Sequence, residues 1–154
     1  MNMIDGGNKK RIYIGADHAG FEAKDAIKEY LEGKGLEVID LGCFSEDPCD
    51  YPDIGREIGE KVAENIGSFG VAICGSGVGV TIAANKMPGI RAALVVDDYF
   101  AEQARQHNDA NVIGLAARYS KIDDMKRYVD KFLDTEFESG EERRVRRVEK
   151  LNTM

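Results

Sequence analysis

Short apolar runs alternate strictly with longer stretches whose apolar residues recur at helical spacing, and this alternation most constrains what the chain can fold into. Residues 11–15 form a β-rich run closed by glycine, and Ala23, Ala26, Ile27, Tyr30 and Leu31 then follow the helical period. Residues 36–42 read as a second strand and residues 43–52 as a polar, proline-bearing loop. Ile54, Ile58, Val62 and Ile66 mark another helix. Val71-Ala72-Ile73-Cys74 is apolar throughout, as in a strand covered on both faces, and a helix is expected over 80–86. Residues 91–96 and 110–115 are further strands around a helix at 98–106, and Ile122, Met125, Val129, Phe132 and Leu133 outline the last amphipathic helix. Strands alternating with helices join in parallel through right-handed crossovers, so the expected architecture is α/β, a three-layer doubly wound domain on a five-stranded parallel sheet. The expected strand order is 2-1-3-4-5. Ligands of such sheets sit beyond the strands' carboxyl ends where the order reverses, which directs attention to residues 16–20 and 75–79.

A chain of 154 residues suits one domain, divided as a flexible leader at 1–10, an α/β body at 11–140 and an arginine-rich helical tail of the same domain at 141–154. Lys and Arg number 21 against 28 Asp and Glu, a net charge of −7 that opposes binding to nucleic acid or to an anionic membrane surface. The longest apolar runs, such as residues 92–96, fall far short of the ~20 residues that cross a bilayer. The first ten residues lack the apolar segment of a secretory signal. Cys43, Cys49 and Cys74 are an odd set without CxxC spacing, which predicts a reducing, cytoplasmic setting with neither disulfide framework nor zinc signature. No Asp, Glu or His set has metal-ligand spacing, so no metal is expected.

The segment richest in chemistry is Cys74-Gly75-Ser76-Gly77-Val78-Gly79, a thiol at a strand end followed by a glycine turn into a helix. Backbone N–H groups there can face an anion, and the thiol beside them can serve as base or nucleophile; a buried structural cysteine before a tight turn is the plain alternative. The loop lacks the lysine and hydroxyl of a P-loop, and its GxGxG spacing after the third strand fits a dinucleotide fingerprint poorly. Asp17 and His18 end the first strand, where they can meet substrate hydroxyls or phosphate, or where Asp17 can simply cap the next helix. His107 and Asn108 close the fourth helix, with a C-cap role for Asn108 as the plain reading. Arg143, Arg144, Arg146 and Arg147 can hold phosphate through always-charged donors, or can pair along a solvated face with Glu141, Glu142 and Glu149.

Taken in order, residues 15–21, 50–52, 74–79, 84–86, 89–91, 105–109 and 146–148 resemble the ribose-5-phosphate isomerases of type B, from residue 11 almost to the end. That family also includes galactose- and allose-6-phosphate isomerases. The resemblance implies a Rossmann-like fold and cofactor-free interconversion of ribose 5-phosphate and ribulose 5-phosphate through an enediolate. It also implies dimers or tetramers whose sites are shared between subunits. On the matching positions, Cys74 is implied as base, the backbone of Gly75, Ser76, Gly77, Val78 and Gly79 as anion hole, and His107 as the residue assisting ring opening. Asp17, His18, Asn108, Arg118, Arg143 and Arg147 are implied as substrate or phosphate contacts. Ser76 replaces the threonine of many relatives, Val80 stands where another branch has a glutamate base, and two glutamates are inserted before Arg143. The competing readings are a six-carbon sugar-phosphate isomerase and a non-catalytic nucleotide- or phosphate-binding module.

Overall fold

The computed structural model describes residues 9–43 and 48–154. The leader expected at 1–10 lies outside the described residues apart from Lys9 and Lys10. Strands β1 (Arg11–Ala16), β2 (Glu37–Asp40), β3 (Phe69–Cys74), β4 (Ala92–Leu94) and β5 (Val112–Ala116) form one parallel sheet. They alternate with helices α1 (Phe21–Gly33), α2 (Tyr51–Glu64), α3 (Val78–Asn85), α4 (Asp98–Asn108) and α5 (Ile122–Asp134), and α6 (Glu142–Asn152) forms the tail.

Side chains alternate across each strand, so the central strands feed two cores. Ile12, Ile14, Val71, Ile73, Ile113 and Leu115 face α1, α4 and α5, where Ile27, Ala101 and Phe132 are buried against them. Tyr13, Ala72, Cys74 and Val112 face α2 and α3, meeting Ile54, Ile58, Val80 and Ala84. The helices thus lie on both sheet faces, as the α/β alternation requires. On the second face α2 and α3 pack closely at Gly55, where a Cβ would lie 2.6 Å from Ala83 Cβ and 2.7 Å from the Val80 carbonyl, while Gly59 makes room for the Met87 side chain just beyond α3.

Three expectations are corrected. The strand order is β2-β1-β3-β5-β4, with β5 rather than β4 beside β3. Burial explains the exchange: all five residues of β5 are buried, whereas β4 has only three residues, none of them buried, and sits at the edge. The reversal between β1 and β3 stands in either order. Cys43 and Cys49 form a disulfide, contrary to the expectation of free thiols, which removes the cysteine argument for a reducing compartment; Cys74 remains free and buried. Asn108 is the last residue of α4 and not its cap, a place taken by Asp109 at φ 47°. Among the described residues no helix is long and apolar enough to cross a membrane.

Candidate functional site

Parallel pairing brings the ends of β1 and β3 side by side, with Ala16 opposite Ile73 and the Asp17 N–H donating to the Ile73 carbonyl at 3.1 Å. Beyond them opens a cleft of about 580 Å³ lined by Asp17, Cys74, Gly75, Ser76, Gly79 and Arg118, among others. Cys74 forms its floor at 4% exposure. Asp17 does cap: its Oδ1 accepts from Ala19 N at 2.9 Å and Gly20 N at 3.3 Å, ordering a short 3₁₀ turn over His18–Gly20. Its carboxylate nonetheless lines the cleft, so the capping and ligand-facing roles coexist. His18 follows, exposed, and is not among the residues that line the cleft.

The glycine loop has definite geometric reasons. Gly77 has φ 73°, and a Cβ there would strike Leu94 Cδ1 at 2.6 Å and the Leu115 carbonyl at 2.9 Å. That left-handed turn aims the first N–H groups of α3 toward the strand ends. Of these, Val78 N is engaged by Ser76 Oγ at 3.2 Å, while Gly79 lines the cleft. A Cβ on Gly75 would sit 3.2–3.5 Å from the Arg118 side chain, so the guanidinium lies across the start of the loop. Arg118 N also donates to Gly75 O at 2.9 Å. A thiol, a carboxylate, helix-terminal N–H groups and a cation therefore converge on one space. Such a set can remove a proton from bound substrate and hold the negative charge that develops.

The structure does not bring His107, Asn108, Arg143 or Arg147 into this cleft. Val112 pairs with Gly70 and Ala116 with Cys74, so the segment entering β5 lies at the level of Gly70. That is about 13 Å of strand away from Cys74. Asn108 instead lines a second cavity of about 520 Å³ with Ile90, Arg91, Leu151 and Met154. This corner is tightly built. Arg91 Nε donates to the Asn108 and Asp109 carbonyls at 3.2 and 2.9 Å, its NH1 reaches Asn152 Oδ1 at 2.6 Å, and Asp109 also pairs with Arg105 at 2.7 Å. Burial lowers the Arg91 guanidinium below its ordinary range, with Asp109 acting against that shift and Arg105 reinforcing it. On α6, Arg144 pairs with Glu138 and Arg143 with Glu141 at 3.8 Å, whereas no ion pair engages the exposed Arg146 or Arg147 among the described residues.

Tyr51, Val78, Ile82 and Tyr119 also line the cleft. Val78 is among the sequence-derived site residues through its backbone; the other three are not. Tyr51 opens α2 beside Pro52, a visible helix-start signal, but its approach to Gly79 depends on how α2 packs on α3 and leaves no local signature. Among the described residues no group of three or more His, Cys, Asp or Glu side chains is arranged to hold a metal ion.

A family model described as ribose/galactose isomerase matches residues 12–151. The chain is 40% identical over 145 residues to the ribose-5-phosphate isomerase B of Escherichia coli K12, covering 94% of this chain and 96% of that protein. It is 41% identical over 133 residues to the D-erythrulose-4-phosphate isomerase of Pectobacterium atrosepticum, covering 84% and 86%. Among solved structures, the ribose-5-phosphate isomerase B of Mycoplasma genitalium with bound ribulose 5-phosphate superimposes with a TM-score of 0.88 at 41% identity, over 93% of this chain and 94% of that one.

Proposed function

The chain belongs to the ribose/galactose isomerase family, and from that premise we propose that this isomerase interconverts D-ribose 5-phosphate and D-ribulose 5-phosphate through a cis-enediolate, with Cys74 as the base. The observation that carries the reading is the convergence of Cys74, Asp17, Gly75, Ser76, Val78 and Gly79 in one cleft at the sheet's reversal point. As thiolate, Cys74 takes the C2 proton of the open-chain aldose, and the electron pair left behind forms the C1–C2 double bond of the enediolate. A proton passes from O2 to O1, and return of the abstracted proton to C1 as the C2 carbonyl forms gives the ketose. Oxidation at C2 is balanced by reduction at C1 within one molecule, so the step needs no external electron carrier. The helix-terminal N–H groups at Gly79 are suited to hold the enediolate oxygen, and Asp17 to orient a hydroxyl.

A second copy of the chain completes the site in this reading. His107, Asn108, Arg143 and Arg147 stand at the opposite end of the sheet or on the tail, where they can reach a neighbour's cleft but not their own. Val78, Ile82 and Leu94 leave exposed apolar surface around the glycine loop, which supports self-association there. His107 then assists ring opening, and the arginines hold the phosphate.

The test is interconversion of the two pentose phosphates by purified protein in EDTA beside folded Cys74→Ala. Turnover by the wild type, reduced about 10²–10⁴-fold in the variant, is expected for loss of a general base. Wild-type turnover of allose or galactose 6-phosphate alone would reassign the substrate. Tight nucleotide or phosphate binding without turnover of any sugar would make the protein a binding module.

A further inference from the structure

We propose that Thr81, on the buried side of α3, is a positioning residue for the glycine loop: its hydroxyl fixes the peptide whose N–H faces the cleft, and so sets how well that loop meets negative charge formed beside Cys74. The inference rests on the isomerase reading of the cleft. Thr81 is 8% exposed, so its hydroxyl needs a partner inside the protein. It donates to the Gly77 carbonyl at 2.6 Å, whereas the Thr81 N–H reaches the same oxygen only at 3.3 Å. The ordinary helical bond is therefore the weaker of these two holds on the carbonyl. Room for the hydroxyl comes from β5. A Cβ on Gly114 would lie 1.9 Å from Thr81 Oγ1, so the hydroxyl occupies the space in which any other residue at 114 would begin its side chain.

What the bond fixes follows from the peptide plane. The carbonyl of Gly77 and the N–H of Val78 belong to one planar trans unit and point in opposite directions. With the oxygen drawn inward to Thr81, the N–H is turned outward, where the hydroxyl of exposed Ser76 accepts it at 3.2 Å. Ser76 and Val78 both line the cleft. One peptide is thus held by two hydroxyls, of which the outer can give way to a ligand oxygen and the inner is buried beneath the loop. Gly77 is a position that needs such a hold, because at φ 73° it uses the left-handed freedom that glycine alone has cheaply, and other conformations lie open to it. Threonine commonly bonds back to the carbonyl four residues earlier within a helix. Here that carbonyl belongs to the residue that turns the loop into α3, which gives the bond a consequence for the cleft. Losing one donor aimed at a developing charge costs about 10²–10³ in rate, and a donor retained but no longer fixed loses part of that.

The experiment compares wild type, Thr81→Val, Thr81→Ala and Thr81→Ser, each checked for fold by circular dichroism. Valine keeps the volume, alanine stands in should the valine variant not fold, and serine keeps the hydroxyl. Steady-state kinetics on ribose 5-phosphate give kcat and KM. Calorimetry gives the Kd of two unreactive ligands, ribitol 5-phosphate and the hydroxamate of 4-phosphoerythronic acid, of which only the second presents the paired oxygens of an enediolate. The expected result is that kcat and kcat/KM fall together by about 10–10²-fold in Thr81→Val and Thr81→Ala and stay within about threefold of wild type in Thr81→Ser. The hydroxamate Kd is expected to weaken by about fivefold or more relative to that of the polyol. Valine and alanine variants as active as wild type overturn the proposal. So does equal weakening of the two ligands, as from a merely structural role, or a serine variant as impaired as the alanine one. A wild type that turns over no ribose 5-phosphate defeats the isomerase reading instead, and the hydroxamate-to-polyol Kd ratio then decides alone whether Thr81 positions the loop, a ratio unchanged in the variants overturning it.

Discussion

Arg118 shows how little of a residue's role depends on its own contacts with protein. Its guanidinium lies across Gly75, and no ion pair or side-chain hydrogen bond engages it among the described residues, so its donors are available to an anion in the cleft. A hydrogen bond to a charged group contributes about 1.5–3 kcal/mol, equivalent to about 10–150-fold in affinity. Arg118→Met is accordingly expected to raise KM for ribose 5-phosphate by that factor with kcat little changed, measured by steady-state kinetics. An equal fall in kcat and kcat/KM would instead place the contact in the transition state. Cys74 and Asp17 were legible in the sequence because strand-end residues before a glycine loop occupy predictable places in a parallel sheet. Tyr51 was given no role, although residues 50–52 are part of the family resemblance, because only the seating of α2 on α3 carries it to Gly79.

At the scale of elements, the chain at Cys43, just after β2, is tied to its surroundings more firmly than its polar sequence suggests. The Cys43 N–H donates to Ala16 O at 2.7 Å, and buried Lys24 reaches the Cys43 carbonyl at 2.5 Å and Asp40 at 2.9 Å. The disulfide then joins this point to Cys49, two residues before the wall of the cleft at Tyr51. Closing so short a loop removes unfolded-state entropy equivalent to about 2 kcal/mol. Cys49→Ser is expected to lower Tm by about 4–8 °C in oxidising buffer and by almost nothing when both proteins are fully reduced. A shift that persists unchanged in reductant would show that the serine acts by packing and not by loss of the bond. The apolar pattern located all five strands, yet misordered the last two, since periodicity reports where a strand lies but not its neighbour. The signal that separates them is quantitative: Val112 to Ala116 is apolar on both faces, while Ala92 to Leu94 is short and half covered.

Over the whole molecule, the sheet's direction separates groups that the sequence motifs suggest should act together. Cys74 ends one strand and His107 precedes the start of another, so a parallel sheet places them at opposite ends whatever the side chains do. If two copies share sites, Cys74→Ala and His107→Ala are each impaired alone, but a mixed dimer carries one site with both residues intact. Co-refolded equal amounts are expected to recover about a quarter of wild-type turnover, half the dimers being mixed and each having one good site. No recovery, with mixed dimers shown to form, would place both residues in a single subunit's site. On the same shared-site reading, the amount of protein becomes a control on its activity: where each chain holds only part of a site, turnover below the dissociation constant should follow the square of chain concentration, and halving the supply of chains should cost three quarters of the flux.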